Sequence, residues 1–188
     1  MNSDTKKRCI MIFPQFKNIN IIDGIREKYD PLSNNVRPHI TLVFPFESNI
    51  SKEDLQDSLI ASLQEVKPFK LILGEIIKID NAVGFFLFLS VNYGSEKIIE
   101  LHNKLYSGMF KTYKPKWLNE GGFMPHMTIG NFTDRTALSN AYQDVCSIED
   151  RFSILVDKIS VEIIDENEDS IIEIEVNLGE KYNEYIFD

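Results

Sequence analysis

The sequence is poor in the features that mark several large classes of protein. It has only two cysteines, Cys9 and Cys146, and no Cys-x-x-Cys motif, which argues against a disulfide scaffold and a cysteine-based zinc site. Both cysteines lie in apolar-periodic segments, so we expect two buried, reduced thiols. The longest apolar run, Val83–Val91, is far shorter than the roughly 20 residues that a membrane-spanning helix needs. We therefore expect no membrane partner.

The N-terminal segment, Met1–Phe16, also lacks an apolar run long enough for the core of a signal peptide. Together with reduced thiols, this favours a cytoplasmic location. The composition, 43% hydrophobic and 26% charged, is that of an ordinary globular protein, and 188 residues suffice for a substantial core. We predict a single domain over residues 1–188, and we expect it to be a monomer.

The net charge of −9 is concentrated near the C-terminus. Residues 162–188 contain ten acidic residues and one lysine, whereas the rest of the chain is balanced. Within this segment Glu173 and Glu175 alternate with isoleucine and valine, which predicts the solvated face of an antiparallel edge strand. The chain has no broad basic region of the kind that binds long duplexes. A nucleotide or a short RNA end is a better match as a partner.

The predicted secondary structure contains a repeat of pattern. A helix, a strand with a His-x-Thr motif, a second helix and two further strands occur in this order twice. Ser51, Ser95 and Thr133 are predicted to cap helices, and Ser153–Ile164 and Ser170–Leu178 are predicted to form the last pair of strands. The repeat predicts an α+β fold with two similar lobes, each contributing one His-x-Thr strand.

Two of the three histidines carry the same four-residue pattern. It stands at Pro38–Thr41 and again at Pro125–Thr128. Because side chains alternate along a strand, each histidine shares a face with the threonine two residues later, and the residue between them faces the packing. If the two lobes meet along these strands, His39, Thr41 and their counterparts His126 and Thr128 surround one space.

These four side chains suit in-line displacement at a phosphodiester. One imidazole, with a pKa near ~6.5, accepts a proton from the attacking oxygen, and the other donates one to the leaving oxygen. The threonine hydroxyls donate hydrogen bonds to the non-bridging oxygens. A metal site would need a further ligand at suitable spacing, and neither HExxH nor HxH is present. His102 is predicted to be a helix-surface or packing residue, so we expect no metal and no cofactor.

His39–Leu42 and His126–Ile129 together resemble the signature of the 2H phosphoesterase superfamily, which includes proteins named 2'-5' RNA ligases and RNA cyclic phosphodiesterases. The separation of 87 residues and the repeated lobe pattern are also similar to that family, and the resemblance covers nearly the whole chain. The continuation of the first motif, Thr-Leu-Val-Phe-Pro-Phe, resembles a small bacterial branch more than the RNA ligase branch, whose first motif usually runs on to Leu-Gly.

The resemblance implies a bilobal fold in which antiparallel sheets flank a central cleft. It also implies a metal-independent phosphodiesterase that acts on 2',3'-cyclic phosphates or on 2'-5' linkages of nucleotides or RNA ends. His39 and His126 are then the catalytic residues, and Thr41 and Thr128 bind the substrate. A non-catalytic alternative stays open, in which the same side chains hold the phosphate of a nucleotide or an RNA end without turnover.

Two further candidates for substrate binding lie near the motifs. Arg37 precedes the first motif and could hold phosphate, although a loop arginine can equally be only solvated. The aperiodic segment Lys111–Phe123 contains three lysines, Trp117 and the pair Gly121–Gly122. Cations and an aromatic ring are what a nucleotide site needs, and the glycines allow an unusual turn. We predict that this segment borders the cleft and that Trp117 influences substrate preference; the alternative is a surface loop anchored by its tryptophan.

The paired histidines also predict a pH–rate profile. If one imidazole acts as base and the other as acid, the rate is bell-shaped, and ordinary histidine pKa values place both limbs near neutrality.

Overall fold

The structure, a computed structural model, describes residues 5–118 and 122–179. The strands are β1 (Lys6–Ile12), β2 (Ile40–Ser48), β3 (Phe69–Asn81), β4 (Gly84–Tyr93), β5 (His126–Phe132), β6 (Phe152–Val156), β7 (Lys158–Ile164) and β8 (Ser170–Asn177). The α-helices that lie wholly within these ranges are α1 (Ile19–Tyr29), α2 (Lys52–Leu63), α3 (Ser95–Ser107) and α4 (Arg135–Val145), and a 3₁₀ helix spans Met109–Tyr113. Across the described ranges, we find no helix long and apolar enough to cross a membrane.

The strands form two four-stranded antiparallel sheets. The first sheet has the order β2-β1-β7-β8 and the second has the order β5-β4-β3-β6. Each His-x-Thr strand is therefore the edge strand of its sheet, and these two edges, β2 and β5, lie against each other. The predicted α+β fold with two lobes, each contributing one motif strand, is confirmed.

One predicted strand is in fact two strands in different sheets. The prediction of a single strand over Ser153–Ile164 is wrong, because the chain leaves the second sheet after β6 and enters the first sheet at β7. Asp157 separates the two, and its carbonyl accepts a hydrogen bond from the backbone N–H of Leu178 at 2.6 Å. Since each sheet takes strands from both halves of the chain, the lobes are interleaved along the sequence.

The predicted helix caps differ from the structure by one residue in two of three cases. Ser51 caps α2 as predicted, because its hydroxyl oxygen accepts a hydrogen bond from the backbone N–H of Asp54 at 3.0 Å. The cap of α3 is Gly94, with a φ of +87° that disfavours other residues, and not Ser95. The cap of α4 is Asp134, and not Thr133, because the Asp134 carboxylate accepts a hydrogen bond from the backbone N–H of Ala137 at 2.9 Å.

Two helices cross from one sheet to the other and connect the lobes. Helix α1 follows β1 of the first sheet but packs on β5, where Tyr29 lies 5.9 Å from Phe132 between ring centroids. Helix α3 follows β4 of the second sheet but packs on β2. There the Tyr106 hydroxyl accepts a hydrogen bond from the backbone N–H of Phe44 at 2.9 Å. The two crossings brace β2 and β5 in their side-by-side position.

The predicted burial of the apolar helix faces and of the cysteines is confirmed only in part. Leu55, Leu59 and Leu63 of α2 are fully buried, as the helical spacing predicts. Cys9 is buried in β1, and its thiol donates a hydrogen bond to the backbone carbonyl of Val43 in β2. Cys146, in contrast, is exposed just after α4, so the expectation that both thiols are buried is wrong. Helix α4 ends at Val145, so the buried helical face does not extend to Cys146.

The acidic edge strand is not uniformly solvated. The side chain of Glu173 is only 5% exposed and accepts from Arg8 Nε at 2.6 Å and Lys6 Nζ at 2.8 Å, while the Arg8 side chain is 1% exposed. The register between β7 and β8 shifts at this point, so Glu173 is an extra residue in β8. A β-bulge of this kind turns a side chain out of the regular alternation, and this explains why Glu173 is buried while Glu175 stays exposed.

We predict that the two glutamates contribute very differently to stability. Glu173→Ala leaves the buried Arg8 guanidinium unpaired and should lower the free energy of unfolding by about 3–5 kcal/mol. The matched control, Glu175→Ala, breaks an exposed pair with Lys158 and should cost less than about 1 kcal/mol. Urea unfolding with an unchanged m-value measures both. Equal losses from the two variants would contradict the structural role of Glu173.

Candidate active site

The two motif histidines are held by the same local geometry. Nδ1 of His39 lies 2.8 Å from the carbonyl oxygen of Arg37, and Nδ1 of His126 lies 2.7 Å from that of Met124. A carbonyl oxygen only accepts, so Nδ1 carries the proton and donates it in both rings. In the neutral imidazoles Nε2 is therefore unprotonated, and it is the nitrogen that is left for a substrate.

The proline of each motif explains why this carbonyl is in place. The accepting carbonyl belongs in both cases to the residue that precedes the proline, Arg37 before Pro38 and Met124 before Pro125. A residue before proline is restricted to extended conformations, which fixes the direction of its carbonyl. The Pro-His pairing seen in the sequence thus has a structural reason that strand alternation alone did not predict.

The predicted alternation of side chains along the two strands is confirmed. The residue after each histidine and the residue after each threonine are fully or almost fully buried, whereas the histidines and threonines are half-buried. The buried positions are Ile40, Leu42, Met127 and Ile129. One face of each strand therefore packs on the core, and the other presents the polar pair.

The structure brings the two motifs close together. Their strands, β2 and β5, are edge strands that contact each other. Phe44 of β2 also lines the cavity that His126 and Thr128 of β5 line. The two motif strands are thus neighbours, each motif lines a cavity of its own, and joint action of the two imidazoles on one bound group stays a prediction.

Burial shifts the ionisation of both imidazoles to lower pH. Desolvation lowers the pKa of His39 from 6.5 to about 4, against the hydrogen bond to the Arg37 carbonyl, and the charge of Arg26 lowers it further. Desolvation also lowers the pKa of His126, and the hydrogen bond to the Met124 carbonyl, which raises this pKa, offsets the shift only in part. Both rings are therefore neutral at pH 7 in the free protein. In the free protein both imidazoles therefore ionise below the ordinary histidine pKa, and the pH–rate profile stays a prediction.

Aromatic rings restrain both histidines and Arg37. His126 stacks on Phe88 with ring centroids 3.7 Å apart and planes 16° apart. His39 meets Phe13 edge-on at 6.1 Å, and the guanidinium of Arg37 lies over the same Phe13 ring at 4.6 Å from its centroid. Arg37 is thus exposed on one side and held near His39, where a phosphate contact remains a prediction.

Trp117 lines a cavity together with the second motif. This cavity of about 410 Å³, which we call the aromatic pocket, is lined by Trp117, Phe44, Phe86, Phe88, Phe123, His126 and Thr128 among others. Trp117 is 54% exposed and meets Phe44 edge-on at 4.8 Å. The segment before the second motif does border the cavity. Gly122 adopts a φ of +72°, whereas Gly121 lies outside the described residues. The three lysines of the segment, which are described, do not line the pocket.

The third histidine connects the first motif strand to the aromatic pocket. His102 is 1% exposed, its Nδ1 lies 2.8 Å from the carbonyl of Leu42, and its ring stacks on Phe123 at 3.7 Å. It is a packing residue, not a surface residue. The spacing of Ile98, His102 and Tyr106 by four was the sequence signal for a second buried stripe on α3. Within residues 5–118 and 122–179, no group of three or more His, Cys, Asp or Glu side chains is placed to hold a metal ion.

Comparison with known proteins identifies the family. Residues 14–168, which include both motifs, match the family model of the 2'-5' RNA ligase superfamily. The chain belongs to this superfamily. A Bacillus licheniformis protein named "Putative phosphoesterase" is 31% identical over 126 residues, covering 65% of this chain and 69% of the relative. A Bacillus cereus protein of the same name is 32% identical over 125 residues, and the match covers 66% of this chain and 69% of that relative. Membership in the superfamily supports phosphoesterase chemistry of the 2H type.

Solved structures agree with this fold. Escherichia coli LigT complexed with ATP superposes with a TM-score of 0.61 at 17% identity, covering 94% of this chain and all of LigT. LigT complexed with 3'-AMP superposes with a TM-score of 0.62 at 17% identity and with the same coverage of both chains. A structure described as a phosphoesterase superposes with a TM-score of 0.64 at 15% identity, and the match covers 94% of this chain and 100% of that one. At these identities the similarity establishes the bilobal fold.

We predict that protonation of His39 makes stability depend on pH. The pKa of His39 is about 4 in the folded protein and 6.5 ordinarily, so between these values the unfolded chain binds more protons. The free energy of unfolding should therefore rise with pH from about 4 to 6.5, and the contribution of His39 is complete above this window. His39→Gln should reduce this slope. Urea unfolding of both proteins across the window measures it, and identical slopes would show that His39 is not desolvated as described.

Proposed function

We propose that this chain is a metal-independent phosphodiesterase that opens nucleoside 2',3'-cyclic phosphates or cleaves 2'-5' linkages of nucleotides or RNA ends. The observation that carries the proposal is the matched pair of histidines on adjacent edge strands. In each, a backbone carbonyl engages Nδ1 and leaves Nε2 for chemistry. Two imidazoles that each leave Nε2 for the substrate can supply the one proton acceptor and the one proton donor that the reaction requires.

The four motif side chains account for each step of ring opening. Nε2 of one neutral imidazole takes a proton from water as the water oxygen forms its bond to phosphorus. The bond from phosphorus to one ribose oxygen breaks, and the other imidazole gives that oxygen a proton. The hydroxyls of Thr41 and Thr128 donate to the non-bridging oxygens, where negative charge increases. No step needs a metal ion.

The lowered pKa values are compatible with this cycle. A neutral imidazole is ready to act as base, and both are neutral in the free protein at pH 7. The donor must first acquire a proton. A phosphodiester anion bound between the two rings favours their charged forms, so substrate binding raises the pKa of the ring that becomes the acid.

The aromatic pocket supports a nucleotide substrate. Its volume and its exposed tryptophan suit a nucleobase, whose face stacks on aromatic side chains. The pocket shares His126 and Thr128 with the proposed reaction centre, so a base in the pocket positions its own phosphate. Solved structures of the similarly folded LigT contain ATP, NADP+ and 3'-AMP.

We predict that the purified protein opens at least one nucleoside 2',3'-cyclic phosphate. Phosphorus NMR of a panel with all four bases detects the conversion of the cyclic phosphate to a monoester. His39→Ala and His126→Ala should each lower kcat by about 10²–10⁴, because each removes one proton-transfer partner. Circular dichroism checks that the variants fold. Tight nucleotide binding with no product, also from 2'-5' dinucleotides, would instead identify a non-catalytic binding module.

We predict that Trp117 acts through the nucleobase. Trp117→Ala should raise KM for a nucleoside 2',3'-cyclic phosphate by a factor of about 5–150, since one stacked base contributes about 1–3 kcal/mol. The KM for ribose 2',3'-cyclic phosphate, which lacks the base, should stay unchanged. Leu155→Ala on β6 is the matched control, because Leu155 is similarly exposed and apolar but lies away from the pocket. Equal effects of Trp117→Ala on both substrates would make this residue part of the scaffold.

A further inference from the structure

The first motif has a cavity of its own, distinct from the aromatic pocket. It has a volume of about 240 Å³, and His39 and Thr41 form part of its wall. Cys9 and Met11 of β1 and Glu162 of β7 also line it. We call this cavity the Glu162 pocket. The reaction centre proposed above thus has a pocket on each side, one at each motif.

Glu162 is the unusual residue of this pocket. It is 2% exposed, and its carboxylate accepts a hydrogen bond from the hydroxyl of Ser170. None of the ion pairs found among the described residues includes Glu162. Burial raises the pKa of Glu162, and the hydrogen bond from Ser170 partly offsets this by lowering it. The neutral acid is therefore favoured more than in an exposed glutamate. A buried acid without a cationic partner is unfavourable for folding, which points to a role in binding.

The size and lining of the pocket restrict what it can hold. It is smaller than the roughly 300–1,000 Å³ of a typical small-molecule site, so a whole nucleoside does not fit. Glu162, Ser170 and Lys7 supply both donors and acceptors, while Met11 and Val36 supply apolar wall. Hydroxyl groups donate and accept at once, and the carbon skeleton of a small sugar has apolar C–H faces. This lining therefore matches a compact polyol.

We propose that the Glu162 pocket binds a compact hydroxylated group, of the size of a pentose, that is attached to the scissile phosphate on the side opposite the nucleobase. This inference rests on the proposed function and narrows its substrate class. The substrate then has two arms. A base occupies the aromatic pocket, a sugar or similar polyol occupies the Glu162 pocket, and the phosphate lies between His39 and His126.

The test uses binding, so that it does not depend on turnover. Isothermal titration compares ribose 5-phosphate, propyl phosphate and inorganic phosphate with the wild-type protein. Ribose 5-phosphate should bind about tenfold tighter than propyl phosphate, as one or two net hydrogen bonds imply. Glu162→Leu should remove this preference and leave the affinity for inorganic phosphate unchanged. Glu162→Gln should keep it within about threefold, because the amide keeps an oxygen that accepts hydrogen bonds at the same position.

A control substitution distinguishes a specific polyol site from a general effect of removing an acidic side chain. Glu166→Leu, at an exposed position on the connection between β7 and β8, should change none of the affinities. Equal affinities of the wild-type protein for ribose 5-phosphate and propyl phosphate would overturn the inference, whether or not the variants fold. A preference that survives in Glu162→Leu would also overturn it. If the preference is found but neither a cyclic phosphate is opened nor a 2'-5' linkage is cleaved, the proposed reaction fails and the polyol site stands.

Discussion

The site depends on one constraint, the side-by-side placement of two edge strands from separate sheets. An edge strand has unpaired backbone groups and would otherwise pair with another strand or with water. Here α3 occupies the outer edge of β2, where His102 and Tyr106 bond to the backbone of Leu42 and Phe44. These contacts follow directly after Thr41 on the same strand, so the helix that covers the edge also holds the strand that carries the first motif. The exchange of α1 and α3 between the sheets extends this constraint to both motifs.

The motifs are nearly equivalent, but their surroundings are not. Each histidine has the same bond from Nδ1, yet His126 stacks on Phe88 beside the aromatic pocket, while His39 stands beside the smaller pocket with Glu162. A symmetric pair of imidazoles cannot by itself choose which way round a phosphodiester binds. In the reaction that we propose, the pockets therefore determine the direction in which the phosphodiester binds, and with it the oxygen that leaves.

The sequence was most informative where one periodicity governed one element. Strand alternation predicted the polar and buried faces of β2 and β5, and the helical period predicted the buried face of α2. It failed where tertiary structure interrupts a period without changing the residue types. The split at Asp157 leaves an unbroken β-like pattern, and the bulge at Glu173 buries an acid that the alternation assigns to solvent. The sequence left open whether His102 lies at the surface or packs, because its partners, a carbonyl of β2 and the ring of Phe123, are distant in sequence.

Desolvation of the two imidazoles links binding to protonation. In the free protein both rings are neutral, so two positive charges are not held next to each other in a partly buried site. A phosphodiester brings a negative charge into the space between them, and the same burial that disfavoured the charged imidazole now strengthens its attraction to the anion. In the reaction that we propose, one proton is therefore taken up together with the substrate. The acid is then created when there is a leaving oxygen to protonate, and the base stays neutral because a second proton would exceed the charge of the bound phosphate.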